Sequence, residues 1–437
     1  MHGRVIKYSL YVPFLAVSFL LFSAFAIKLA TLYIILFFLT LLYFFSNTKK
    51  IILLLSTLIL IVVVTNFLFH CFGITSNIYY RPSDELQFRG KFRPNTTLTR
   101  QEPYGDLNPL SLGELAQRNL IIPRKTIFKT DSLGFRNSAD YLGQKHLLIG
   151  DSFIVGVGSS QEDILSEQLL RKDGIDTYNL ASIWNLSNYA EELKRFQLRF
   201  GTSSKAFVFL FEGNDFPIEN ENRKIRPLTR WEENRRSLSD TLYRWNTLFS
   251  FTPFYRYLYS LYYKSYAQVT ESLELKKKDV SVFKVHSIPM AFYNHYAYDV
   301  SERESYNGTQ EFEKNLSDIA PFIQCLFFIP TKYRVYSDWI DPKQNQVSFS
   351  TYTGRNLERK NIPHAQWIYL KKLSQKLNIC AVDLTDKLKK ESARLLSSEQ
   401  TTWWPDDTHW NKYGIAVAAL EVRKTCLNPL FNLRLRP

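Results

Sequence analysis

Acidic residues are missing from the first 73 positions of this 437-residue chain, which carry five basic residues and no aspartate or glutamate. Cysteine is scarce as well. Four in the whole chain, at positions 71, 325, 380 and 426, give no zinc-site spacing and no Cys-x-x-Cys redox pair. Cys325 and Cys380 each fall in an apolar, strand-like run, and buried unpaired thiols are the simplest expectation for them. No metal or nucleotide signature is present, so no cofactor and no metal are expected. No nucleic-acid recognition motif is present either.

The acid-free N-terminus is overwhelmingly apolar from Tyr8 to Ile74. Lys28 and the run Asn47-Thr48-Lys49-Lys50 divide it into stretches of 8–27, 29–46 and 51–72, each near the ~20 residues that cross a bilayer. Three transmembrane helices within 1–73 are therefore expected, or two if the short middle stretch does not span. Arg4, Lys7, Lys49 and Lys50 fall on the cytoplasmic side under the positive-inside rule, with Lys28 opposed. Everything after Gly73 then lies outside the cytoplasm. Ala24-Phe25-Ala26 also resembles a signal-peptide cleavage site, and cleavage there leaves the large domain outside all the same. The expected location is a multi-pass membrane protein, of bacterial inner-membrane type, with the lipid bilayer as one partner.

The whole chain holds 55 basic and 41 acidic residues, a balance of +14; without the five N-terminal basics the remainder is +9. A basic domain beside a membrane suits anionic lipid or polyanionic glycan, although charge spread for solubility reads the same way. Residues 74–127 read as a juxtamembrane linker with some structure. From 128 onward, strand-like runs near 146–150, 176–181, 205–211, 325–329 and 379–383 alternate with helical patterns near 162–171, 187–200, 310–320, 363–377 and 411–424. That alternation predicts an α/β fold, a parallel sheet flanked by helices. A long excursion at about 216–320, charged and then aromatic, reads as a helical insert.

Two of these strand ends, and one segment just before the last helical pattern, carry chemistry. His146-Leu147-Leu148-Ile149-Gly150-Asp151-Ser152-Phe153 is an apolar strand delivering a serine onto a sharp turn. Lys205–Phe211 runs into Glu212-Gly213-Asn214-Asp215, placing an asparagine amide at a strand's C-terminal edge, where open α/β sheets build their sites. Asp406-Asp407-Thr408-His409-Trp410-Asn411 supplies a carboxylate and an imidazole from the far end of the chain. Together they offer a nucleophile, a base, an orienting acid and an oxyanion donor.

In order and content, Gly150-Asp151-Ser152-Phe153, Gly213-Asn214-Asp215 and 406–411 resemble the first, third and fifth sequence blocks of the SGNH (GDSL-type) hydrolases and acyltransferases, over about 128–425. The Asp-Thr-His-Trp run is similar to the membrane-associated branch that includes the alginate O-acetyltransferases, as is Ile329-Pro330-Thr331-Lys332-Tyr333-Arg334. In that branch, however, the acid–histidine pair precedes the serine, whereas here it follows. The resemblance implies an SGNH-like, flavodoxin-like sheet, with Ser152 as nucleophile and His409 as general base. Asn214 and the Ser152 N–H would form part of the oxyanion hole.

Two points stay open. Asp407, two residues before His409, fits the alginate-type pattern; Asp406, three before it, fits the serine-first order and the usual family spacing. The second family block usually supplies a glycine N–H, but 178–185 here has no glycine, and Trp184 stands about where it would be. Trp404 and Trp410 flank His409 and are candidates for lining the pocket, with core packing as the competing reading; Lys332 and Arg334 are candidates for substrate contact or solvated loop charges.

The implied activity is a serine esterase or O-acyltransferase, with acetyl as the expected acyl group. The expected partners are an acylated cell-envelope or secreted polysaccharide, or another ester, and other polysaccharide-assembly proteins. A non-catalytic glycan-binding or scaffold protein on the same fold is the alternative reading, and a lipid esterase a further one.

Overall fold

A computed structural model of the chain describes residues 92, 94–111, 113–182, 186–201, 204–217, 279–348 and 362–427. The expected membrane spans, Trp184 and the aromatic helices expected within 216–278 lie outside the described residues. Among those described, no helix is long and apolar enough to cross a membrane.

In chain order the elements are β1 (Thr97–Glu102), α1 (Leu107–Leu110), α2 (Glu114–Gln117), β2 (Arg124–Lys129) and β3 (His146–Ile149). Then come α3 (Ser152–Val155), α4 (Leu165–Asp173), β4 (Thr177–Asn179), α5 (Leu186–Phe200) and β5 (Lys205–Phe211). A hairpin of β6 (Val280–Val285) and β7 (Ile288–Tyr293) leads through a π-helical turn, His295–Val300, to α6 (Gln310–Ile319). The chain continues with β8 (Ile323–Ile329), α7 (Lys332–Tyr336), β9 (Ile340–Ser348), α8 (Ala365–Lys376), β10 (Cys380–Asp383), α9 (Thr385–Leu396) and α10 (Lys412–Leu427).

Five of these strands form one all-parallel sheet in the order β10-β8-β5-β3-β4. The expected α/β class is therefore what forms. Alternation explains both faces of the sheet. Phe207, Phe209 and Phe211 of β5 join Leu148, Phe327 and Ile329 in one core, with Leu165 and Leu169 of α4, Leu388 of α9 and Ile415, Ala418 and Val422 of α10. Val208 and Leu210 join Leu147, Ile149, Leu326 and Phe328 in the other core, with Tyr189, Leu193 and Phe196 of α5, Phe312 and Leu316 of α6, and Leu370 of α8. Each fully buried side chain of this size contributes on the order of 1.5–3 kcal/mol, which is why the strands read as unbroken apolar runs.

Two expectations need correction. The described part of the insert is not wholly helical: β6 and β7 within it join β9, which lies beyond it, in a three-stranded antiparallel sheet ordered β7-β6-β9. The structure expected within 74–127 includes β1, α1 and α2, and β1 pairs antiparallel with β2. Cys325 and Cys380 are register partners on β8 and β10 and are joined as a disulfide, in place of unpaired thiols.

Candidate active site

The sheet reverses its winding between β3 and β5, and that switch point is where parallel sheets leave a crevice at the strands' C-terminal ends. β3 ends at Ile149, and Gly150 turns the chain. An added Cβ on Gly150 would stand 2.6 Å from Ile154 Cγ1, so only glycine lets the bend pack against α3. Asp151 caps α3, its carboxylate accepting from Phe153 N at 2.9 Å. Ser152 is thereby fixed at the first position of that helix, half-buried at the rim.

His409 arrives from the loop between α9 and α10. Its Nε2 lies 2.7 Å from Ser152 Oγ, and its Nδ1 lies 2.7 Å from Asp407 Oδ1. The same Asp407 oxygen also accepts from His409 N at 3.0 Å, closing a short loop that fixes ring and backbone together. Asp407 is thus the acid that faces the imidazole. Asp406 turns away. Its Oδ2 accepts from Gly105 N at 2.8 Å and Ile122 N at 2.9 Å, and its Oδ1 accepts from Arg124 Nη1 at 3.1 Å.

The loop bearing this pair is held on all sides. Trp403 and Trp410 pair across it as a β-bridge, and the Trp403 indole N–H donates to Thr408 O at 3.0 Å. Trp410 is 1 % exposed and donates to Phe153 O at 3.2 Å, so it is core and not pocket wall. Trp404 is half-buried, with the Arg124 guanidinium 4.7 Å over its ring. Lys332 corrects the substrate-contact expectation. It is 5 % exposed, and its Nζ donates to the carbonyls of Ala291, Trp404, Pro405 and Asp407 at 2.8–3.1 Å. Arg334 is buried against Glu212 in a bidentate pair beneath β5 and β8, also away from substrate.

Asn214 is exposed in the turn after β5, at the same rim, and lies near enough to the Asp151 carboxylate to lower its pKa. Burial outweighs that effect and pushes Asp151 up to about 6. Beside Asn214 opens a cavity of about 380 Å³, walled by apolar Leu186, Pro217 and Phe312 and by polar and acidic groups that include Ser187, Asn315 and Glu311.

Sequence reasoning missed two groups, both from the β1–β2 region. Arg124, 8 % exposed, binds Asp406 through Nη1 and Asp407 through Nη2. Asp106 accepts from Thr408 N at 2.7 Å and from the Thr408 hydroxyl, and its Oδ2 lies 3.5 Å from His409 Nδ1. The signal was faint: a Pro-Tyr-Gly turn just before Asp106, separated from Thr408 by 302 positions.

Charge tunes the site. Burial opposes the imidazolium, yet the hydrogen bond and charge of Asp407, with Asp106 and Asp151, carry His409 up to about 9. Burial likewise opposes the Asp407 carboxylate, but the bond to His409 and the charges of His409 and Arg124 hold it well below the usual range. Burial and the Asp407 charge push Asp106 up to about 7, although its side chain keeps 37 % exposure. Burial draws Lys332 down to about 7 against the pull of Asp406, Asp407 and Asp106.

Asp106, Asp407 and His409 bring possible ligand atoms within 4.8 Å of one another. A cation fits them poorly. The carboxylate oxygens and ring nitrogens already serve Thr408, Arg124, Ser152 and each other, and Arg124 and Lys332 supply positive charge alongside. A scan of protein-family models and a search of curated proteins give no match to this chain.

Proposed function

We propose that the protein is a serine esterase or O-acyltransferase of the SGNH type, anchored in a membrane with its catalytic domain outside the cytoplasm. The observation that carries this reading is the pair of contacts Ser152 Oγ–His409 Nε2 and His409 Nδ1–Asp407 Oδ1, both 2.7 Å, at the switch point of a parallel sheet. Ser152 Oγ attacks an ester carbonyl and passes its proton to His409 Nε2. Asn214 and backbone N–H groups stabilise the tetrahedral oxyanion. Its collapse breaks the ester C–O bond, the departing alcohol takes the proton from His409, and an acyl-serine is left. Water or a sugar hydroxyl then accepts the acyl group by the same steps in reverse.

Acetyl is the proposed acyl group, and a cell-envelope or secreted polysaccharide the proposed substrate. The cavity beside Asn214 combines apolar walls (Leu186, Pro217, Phe312) with hydroxyls and amides, a lining that accommodates an acylated, hydroxyl-bearing ligand. The Cys325–Cys380 disulfide suits an oxidising, extracytoplasmic compartment. Full-length protein in detergent is expected to release acetate from a chromogenic acetyl ester and to be labelled at Ser152 by a fluorophosphonate. Ser152→Ala should lose both. An Ala variant that turns over as fast as the parent overturns the reading. The absent glycine in 178–185 favours the non-catalytic alternative, under which the parent takes no label at all.

A further inference from the structure

We propose that Asp106, on the loop between β1 and α1, is a second positioning carboxylate for His409, so that the segment preceding the sheet completes the acid–base pair. The inference rests on the serine–histidine reading and adds to it a residue that lies outside the three sequence blocks.

Geometry comes first. Asp407 occupies Nδ1 at 2.7 Å, and Asp106 Oδ2 stands 3.5 Å from the same nitrogen, on the Thr408 side. Asp106 is not free to swing. Its two oxygens grip Thr408 through the backbone N–H and the hydroxyl, and Thr408 Oγ1 itself lies 3.4 Å from Nδ1. The loop carrying Asp106 is pinned to the histidine loop twice more, by Gly105 N on Asp406 and by Asp106 N on Asp407 Oδ2 at 3.3 Å. Gly105 is required there, since a Cβ would stand 2.3 Å from Asp406 O. Arg124, from β2, bridges Asp406 and Asp407 and neutralises part of their charge. The pinning is too specific for a passive cover.

The electrostatic consequence follows from counting what faces the ring. Asp407, Asp106 and Asp151 surround His409 with negative charge, while Arg124 and Lys332 lie behind the carboxylates and Tyr296 lies near Asp106. Asp106 therefore stabilises the imidazolium that forms when Ser152 gives up its proton. It acts through His409 and touches no reacting atom.

The test is Asp106→Asn in the full-length protein, read two ways. Asparagine keeps an oxygen for Thr408 N but removes the charge. Histidine labelled with ¹³C at Cε1 gives the His409 titration midpoint directly, assigned by its loss in His409→Gln. The expected result is a midpoint lower than the parent's by about one pH unit. The acid-side limb of the Ser152-dependent ester rate should move to lower pH by a similar amount, with the plateau reduced less than tenfold. An unmoved His409 midpoint in Asp106→Asn overturns the inference, whatever the rate does. If the parent shows no Ser152-dependent hydrolysis, the proposed reaction falls, while the NMR midpoint still decides whether Asp106 acts on His409. Asp106→Glu, which restores the charge, should return the midpoint toward the parent value; failure to do so also counts against it.

Discussion

Asp406 and Asp407 are adjacent in sequence on a turn closed by Asp407 N donating to Trp404 O at 3.3 Å, and both carboxylates meet Arg124, but only one of them meets the histidine. Asp407 reaches His409, whereas Asp406 saturates two backbone N–H groups and one arm of Arg124. Their replacements should therefore fail differently. Asp407→Asn is expected to lower kcat for ester cleavage by about 10³–10⁴-fold, since it removes the ring's orienting acceptor, and to lose some stability as well because Arg124 loses one of its buried partners. Asp406→Asn is expected to cost about 2–4 kcal/mol of stability by leaving buried donors and Arg124 underserved, as denaturant titration would show. Equal loss of activity at equal stability in both variants would contradict the division.

The pH response belongs to the residue scale too. His409 is raised from its usual value near 6.5 to about 9, so the neutral imidazole that can take the serine proton gains population as pH rises. Ester kcat/KM should climb through pH 8 and level off above about 9. Stability moves the other way. The Asp407–His409 contribution is fully present below the unfolded value near 6.5 and is lost as pH rises through about 9. Tm at pH 10 should lie below Tm at pH 6, and His409→Gln should flatten that difference.

At the scale of elements, Lys332 shows how a helix start can serve a distant loop. α7 begins at Lys332 after the Thr331 cap, and the buried ammonium ties Ala291 of β7 to the backbone around 404–407. Lys332→Met fills similar space but orphans several carbonyls. It is expected to cost about 3 kcal/mol and to slow Ser152 labelling, because Asp407 loses its floor. An unchanged Tm together with an unchanged labelling rate would show that the tie carries little.

The same elements show what sequence could and could not reveal. β3, β5 and β8 are buried on both faces, so their apolar runs are legible without any partner in view. Ser152 is legible because its short block follows such a strand, and His409 because its block of acids, histidine and tryptophan stands out just before the last helix. β1 is different. Thr97–Glu102 is a run of polar residues half exposed on one face, and its pairing with β2 leaves no periodic apolar signal. Asp106 and Arg124 matter only through contacts some 280–300 positions away, and local pattern is blind to contacts of that kind. Cys325 and Cys380 are 55 positions apart, and only the β8–β10 register brings them together. The packing of Trp410 and Lys332 escapes the sequence for a related reason: proximity to His409, or a basic charge, does not reveal which way a side chain is packed.

At the scale of the whole molecule, two independent features point to one compartment. On the proposed topology, an odd number of spans in the first 73 residues would leave the proposed catalytic unit outside the cytoplasm under the positive-inside rule, and so would cleavage after the first. The Cys325–Cys380 bond requires surroundings that do not reduce it, which the cytosol of most cells does not offer. These features can be tested together because each fails differently. In intact cells whose inner membrane is exposed, added protease should degrade the catalytic unit, and a membrane-impermeant maleimide should label Cys325 and Cys380 only after mild reduction and partial unfolding. If the orientation were reversed, protease would leave the unit whole until the membrane is lysed. If the bond were absent, both thiols would react on unfolding without a reductant.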